Sequence, residues 1–293
     1  MTDDRQEPRV ASREILRRLL RTDFPSFLHR CFQELVPGEE FRDNWHHELI
    51  AHNLERVRQG ACPRLIITLP PRNLKSIQVT VALVAWVLGH NPSARVMCVS
   101  YSQELSEKHA RDRLTLLRAP WYQEIFPGTR LKAKKPAAHH FETTAGGACF
   151  ATSIGGVVTG MGADVIIIDD PLKPEEALSE VVRKRCNEFV ENTLASRLND
   201  KLTGKMILVM QRLHEDDLVG CLLEKGGWTH INLPAIAEQD EHFEIQTLNG
   251  SKIVGRKEGE VLHPAREPLE VLHDLHQDLG EYNFAGQYQQ RPA

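Results

Sequence analysis

The stretch Arg64-Leu-Ile-Ile-Thr-Leu69-Pro-Pro-Arg72-Asn-Leu-Lys75-Ser76 decides how this chain is read. Residues 65–69 are a short, β-rich apolar run between Pro63 and Pro70, and Lys75-Ser76 opens a long apolar segment over 77–88. Strand, tight loop, Lys-Ser, helix is the order of a phosphate-binding loop. In such a loop backbone N–H groups and the helix N-terminus hold phosphates, the Lys neutralises them, and the Ser hydroxyl reaches Mg²⁺. The usual pattern is G-x-x-x-x-G-K-[ST], whereas Leu69 and Leu74 stand here at the two glycine positions. A buried strand–turn–helix without a ligand reads the same way over these residues alone, so the flanking chain must separate the two.

Upstream, residues 11–35 show helical periodicity that Pro25 divides into two helices. Asn44 is a fitting N-cap for a helix over 45–59. The Trp45-His46 pair opening that helix either stacks on and hydrogen-bonds a nucleotide base or packs the helix onto its neighbours. Downstream, 75–90 reads as a helix apolar nearly all round, 94–100 as a strand buried on both faces, and 102–118 as an amphipathic helix. Residues 119–138 read as loop and 140–154 as a hairpin around Gly146-Gly147.

The second chemically loaded stretch is Val165-Ile-Ile-Ile168-Asp169-Asp170-Pro171. Four β-branched residues in a row mark a strand buried on both faces of a parallel sheet. Carboxylates at the C-terminal end of such a strand lie where doubly wound sheets bind ligands. Asp169 suits Mg²⁺ and Asp170 suits orienting or deprotonating a water; the competing reading is a pair of turn carboxylates capping the next helix. Then follow a long helix over 174–198, a strand over 206–210 ending in Gln211-Arg212, a helix over 214–224 and a strand over 228–233. Gln211 suits sensing a γ-phosphate, and Arg212 either stabilises transition-state charge or pairs with Asp216 or Asp217. Asn249-Gly250 marks a hairpin over 243–254. A last helix is expected over 268–279, with 282–293 extended.

Length and composition bound the rest. The 293 residues suffice for a sizeable core, and 41% hydrophobic with 26% charged residues is ordinary for a globular protein. No apolar run is long enough to span a membrane, and the charged start Met-Thr-Asp-Asp-Arg-Gln-Glu-Pro is no signal peptide, which gives a cytoplasmic expectation. Six cysteines lie far apart with no C-x-x-C pair, which disfavours a zinc ribbon or disulfide framework. The pairs His46-His47 and His139-His140 show no metal-ligand spacing with Cys or carboxylates, so no histidine metal site is expected. A net charge of −4 does not suggest a high-affinity nucleic-acid binder. Basic clusters at Arg17-Arg18-Arg21, Lys132-Lys134-Lys135 and Arg183-Lys184-Arg185 permit weak backbone contact without establishing it.

Taken together, Pro70-Pro71-Arg72-x-x-Lys75-Ser76, the 165–171 strand and Gln211-Arg212-Leu-His-Glu-Asp-Asp217-Leu resemble the ATPase half of tailed-phage terminase large subunits. The resemblance covers roughly residues 40–290, with the three motifs in the right order. It implies an α/β P-loop NTPase of the additional-strand type, mainly parallel, with a small C-terminal hairpin-plus-helix extension. The expected divisions are an N-terminal helical segment over 1–40, an ATPase core over 41–235 and a C-terminal subdomain over 236–293. It implies ATP and Mg²⁺ as cofactors, double-stranded DNA as the translocated substrate, and a portal protein, a small terminase subunit and further copies of the chain in a ring as partners.

Carried over residue by residue, Lys75 contacts the β/γ-phosphates, Ser76 and Asp169 bind Mg²⁺, Asp170 takes the catalytic carboxylate position and Gln211 couples hydrolysis to movement. Trp45 and His46 fall in the adenine segment, and Pro71, Arg72, Asn73 and Leu74 belong to the loop. Three departures stand out. Leu74 replaces a glycine and is strained by about 1 kcal/mol or more if φ is positive there. Asp170 is one methylene shorter than the usual Glu. The acidic nuclease domain that normally follows is not expected within these residues, so no DNA cutting is expected of the chain. Thr159 and Met161 stand where the family often has an arginine finger, leaving Arg72, then Arg212, as substitutes. A helicase-type translocase and a non-hydrolysing, nucleotide-binding docking protein are the alternative functions.

Overall fold

The computed structural model describes residues 7–292. The charged start, residues 1–6, and Ala293 lie outside them. Seven strands build the central sheet: β1 (Arg64–Thr68), β2 (Arg95–Ser100), β3 (His140–Glu142), β4 (Ala148–Ser153), β5 (Val165–Asp169), β6 (Lys205–Met210) and β7 (Thr229–Asn232). Their order is β3-β4-β2-β5-β6-β1-β7, and every pairing is parallel except β3 with β4. Thus β6 lies between β1, which leads into the Lys75 loop, and β5, which carries the acidic pair. That insertion is the additional strand expected from the sequence.

The central strands β1, β2, β5 and β6 are buried on both faces because their alternating side chains enter two different cores. Leu65, Ile67, Val96, Cys98, Val165, Ile167, Ile207 and Val209 face one cluster, shared with the helices Phe24–Leu35, Trp45–Gln59 and Gln103–Arg118. Ile66, Met97, Val99, Ile166, Ile168, Met206, Leu208 and Met210 face the other, closed by Val190, Leu194, Val219 and Leu222. Each fully buried aliphatic side chain contributes about 1.5–3 kcal/mol, so the central strands are the most firmly held part of the molecule.

The helix Trp45–Gln59 begins where expected: Asn44 Oδ1 accepts from Trp45 N at 2.9 Å, and Gly60 ends it in the left-handed region at φ 86°. The first two helices, Glu7–Thr22 and Phe24–Leu35, part at Asp23, whose carboxylate caps Ser26 N at 2.9 Å. After the loop, a π-helical segment Ile77–Ala82 runs into the α-helix Leu83–His90. Trp86 anchors this helix in the core, its indole N–H donating to Glu55.

Four expectations are corrected. Residues 119–138 include a short helix, Pro120–Ile125, started by the proline and buried through Tyr122 and Ile125. The span 174–198 is not one helix: a 3₁₀ turn Pro174–Glu176 and the helix Glu180–Glu188 are separated by a turn whose Ala177 carbonyl accepts from Arg183 at 2.7 Å. The helix expected from 214 starts at Leu218, because Asp217 caps Gly220 N at 3.0 Å. The last helix continues through Gln287, kinked at Gly280, since Phe284 and Tyr288 bury against Ala235 and Leu272. The C-terminal hairpin β8 (Glu241–Thr247) and β9 (Gly250–Arg256) lies against the helix Trp45–Gln59, with Lys252 Nζ 2.6 Å from Glu48.

Candidate functional site

The loop between β1 and the following helix is shaped from within by Asn73, whose amide donates to Pro71 O at 3.1 Å. Arg72 and Leu74 both have positive φ, 63° and 57°. The strain expected at Leu74 is therefore present, at a residue where L side chains cost about 1–2 kcal/mol. Gln78 N–H donates to Leu74 O at 2.9 Å and closes the first turn. The amides ahead of it are the free donors that any helix N-terminus presents.

Lys75, Ser76, Asp169, Asp170 and Gln211 come together at the C-terminal ends of β1, β5 and β6. Lys75 Nζ lies 2.9 Å from Asp170 Oδ1, and the same oxygen accepts from Gln211 N at 3.3 Å. Asp170 is held at φ 43°, a third strained residue in the site. Ser76 Oγ donates to Asp169 Oδ1 at 3.2 Å. Burial pushes the Asp169 carboxyl above its usual range, with Thr80 and Lys75 pulling the other way. Burial also pushes Asp170 up, against Lys75. Gln211 is buried, and its Oε1 has no partner among the described residues.

A second ring of residues supports Asp169. Thr80 Oγ1 donates to Asp169 Oδ2 at 2.7 Å, and His109 Nδ1 lies 3.5 Å from the same oxygen. Fully buried Arg113 donates to Thr80 O at 2.9 Å. His109 is pushed down to about 4, first by burial and then by the Arg113 guanidinium. The reading of the sequence named none of these three. The signal was present: Ser76 with Thr80, and His109 with Arg113, are four apart on helices and share a face.

Other expected residues lie elsewhere. Arg212 is engaged by Asp217, Nε to the two carboxylate oxygens at 3.1 and 3.0 Å, and by His214 O at 3.3 Å. Its pairing alternative, not the catalytic one, is the arrangement observed. Arg72 is exposed and makes no ion pair among the described residues. The ring of Trp45 stacks on Phe243 at 5.3 Å and 23°, with the Arg256 guanidinium 5.9 Å from it, so the hairpin β8–β9 already covers the face expected to meet a base. His46 is wholly buried. The imidazoles that reach the space beside the loop are His47 and His263. With Arg42, Arg72, Leu74 and Arg266 they line a cavity of about 420 Å³.

The donor set around Ser76 is a hydroxyl and a carboxylate, oxygen ligands of the kind Mg²⁺ takes. The cavity beside it is basic through three arginines, apart from Glu39 and Glu40.

No family model and no curated protein matches the chain. Among solved structures it is similar to the large terminase of bacteriophage HK97, at 13% identity and a TM-score of 0.42, over 68% of this chain and 40% of that one. It is similar to the large terminase of a thermophilic bacteriophage in complex with ADP, at 9% identity and a TM-score of 0.47, over 80% of this chain and 51% of that one. A mutant of the large terminase ATPase domain of Thermus phage P74-26 matches at 14% identity and a TM-score of 0.46, over 89% and 98%. The chain thus spans about half or less of the first two proteins.

Proposed function

We propose that this chain is the ATP-hydrolysing motor part of a tailed-phage terminase large subunit, driving double-stranded DNA into a procapsid. The observation that carries the hydrolase reading is the meeting of Lys75, Ser76, Asp169, Asp170 and Gln211 at one end of the sheet, beside a loop that opens a helix. The DNA substrate, and the portal and small-subunit partners, rest on the ordered motifs of the sequence. In this reading residues 41–235 are the ATPase core, flanked by 1–40 and 236–293.

Each side chain then has a task. Lys75 leaves Asp170 for the phosphates of ATP, and Asp170, released, accepts a proton or hydrogen bond from the attacking water. Ser76 and Asp169 are the oxygen ligands for Mg²⁺, which when bound neutralises phosphate charge. Thr80 keeps the Asp169 carboxylate oriented. Gln211, joined to Asp170 through its backbone and with its side-chain carbonyl unpaired among the described residues, would respond when the γ-phosphate goes. Arg72, exposed on the loop, is the favoured arginine for transition-state charge. The basic cavity lined by His47 and His263 takes the remainder of the nucleotide, in place of the Trp45 and His46 face.

ATP turnover by the purified chain, with and without double-stranded DNA, is the direct test. Turnover that DNA stimulates and that Lys75→Ala abolishes is the expected result. Unchanged binding and turnover in Lys75→Ala would overturn the assignment of the loop.

A further inference from the structure

We propose that His46, His47 and His263 form a binding site for one divalent transition-metal ion, with Zn²⁺ the best fit. The three imidazoles come from two distant parts of the chain: the first turn of the helix Trp45–Gln59 and the segment after β9. Each offers a ring nitrogen, and these nitrogens all lie within 4.8 Å of one another. The rings are packed together, with centroids 4.1 Å apart for His46 and His47 and 5.4 Å for His46 and His263.

The unusual feature is what these rings lack. Their exposures are 0%, 3% and 5%, yet His46 Nε2, both nitrogens of His47 and both of His263 have no hydrogen-bond partner among the described residues. Buried polar atoms are almost always paired, so three buried rings with unpaired nitrogens, each offering one nitrogen to the same small volume, point to a missing ligand. An all-imidazole set suits zinc and its neighbours over Mg²⁺ or Ca²⁺. The Asp43 Oδ1 lies 3.8 Å from His47 Nδ1, in reach of the carboxylate–histidine arrangement that orients metal-bound imidazoles.

Two adjustments accompany loading. Zn–N bonds of about 2.0–2.1 Å require the nitrogens to close in slightly by ring rotation. Asn44 Nδ2 is 2.8 Å from His46 Nδ1 and also bonds Leu262 O at 2.6 Å. That places the His46 proton on Nε2 in the metal-free chain, so binding through Nε2 turns the Asn44 amide away from the ring. Access is through the cavity that His47 and His263 line beside Leu74. Three protein ligands leave a fourth position for water or another donor. A bound ion would tie the segment after the hairpin to the helix Trp45–Gln59 and stiffen the cavity wall.

The site is read without nucleotide and does not depend on the proposed ATPase activity. The full chain, purified without a histidine tag and stripped with a chelator, is titrated with Zn²⁺ by calorimetry. The expected result is one ion per chain, a raised unfolding midpoint, and at least about tenfold weaker binding in His47→Gln and in His263→Gln, since even losing a partner that only orients a ligand costs about 10–100-fold. The His139→Gln/His140→Gln variant should bind as the parent does. No one-to-one uptake, or equal affinity in the His47→Gln/His263→Gln chain, would overturn the site. Should those variants fail to fold, X-ray absorption of the Zn²⁺-loaded parent decides: three imidazole ligands support the site, and one or none refutes it.

Discussion

Lys75 Nζ lies 2.9 Å from Asp170 Oδ1, so the two residues assigned to phosphate binding and to water activation hold each other. The lysine is nearly buried and the aspartate is pinned at φ 43°, with Gln211 N on the same oxygen. The pair is a latch. In the proposed mechanism phosphate would compete with Asp170 for the ammonium, and the exchange would free the carboxylate only when nucleotide is bound.

Replacing one partner should therefore damage more than activity. Lys75→Met is expected to lower ATP turnover at least about a hundredfold, the scale of losing one charge-stabilising group. It should also cost about 1–3 kcal/mol of stability by leaving Asp170 without its cation, an amount moderated by the partial exposure of Asp170. Adding Asp170→Asn should recover most of that stability. Urea unfolding of the two single variants and the double variant measures the coupling, and simple additivity would contradict the latch.

Leu74 sits at φ 57° in place of a glycine. Leu74→Gly relieves about 1–2 kcal/mol of backbone strain and gives back about 0.5–1 kcal/mol through the unfolded chain, so a net gain of about 0–1.5 kcal/mol is expected. Leu74→Val should lose at least about 1 kcal/mol, because β-branching is least tolerated at positive φ. Equal stability for the two variants would show that this backbone angle does not matter.

The two arginines should separate cleanly. Arg212→Ala strands the fully buried Asp217 carboxylate and is expected to cost about 3–5 kcal/mol. Arg72→Ala, exposed and unpaired, should stay within about 0.5 kcal/mol of the parent while turnover falls. Thermal unfolding and turnover measured side by side check both. A stable Arg212→Ala chain with lost activity would return Arg212 to the catalytic role.

Acid should loosen the fold through histidines. His230, whose Nε2 lies 2.9 Å from Thr68 Oγ1, is pushed from 6.5 to about 4 by burial and then by Arg212, with Asp217 opposing. A base with a lowered folded pKa binds fewer protons folded than unfolded between those values. Its contribution is whole above about pH 6.5 and declines as the pH falls toward 4, by about 1–3 kcal/mol. His109 and His263 act in the same window. His230→Gln should flatten the stability curve there by its own share, and an unchanged slope would count against the burial effect.

Much of the site could be read from the chain because its signals are local. The β-branched run before Asp169-Asp170, the apolar helix after Lys75-Ser76 and the asparagine cap before Trp45 each depend on neighbours within a turn or two. Leu74 belongs with them: its place at a glycine position marked the backbone angle to inspect, and φ is positive there. Thr80, His109 and Arg113 were within reach through four-residue spacing, yet their shared target, Asp169, lies on a different element. No spacing along one helix names it.

What the sequence alone determined was a mainly parallel α/β sheet with Lys75, Ser76, Asp169, Asp170 and Gln211 at strand ends. Period and polarity dictate which elements form, and their order dictates where the loops emerge. The tertiary structure alone decided that Phe243 and Arg256 cover Trp45, that Asp217 takes Arg212, and that His263 meets His46 and His47. Those contacts depend on how the C-terminal hairpin and the segment after it fold back over the helix Trp45–Gln59. That return path is fixed by the burial of Ile245 and Leu262 in the shared core, with Phe243 packed against it, a gain no local pattern expresses.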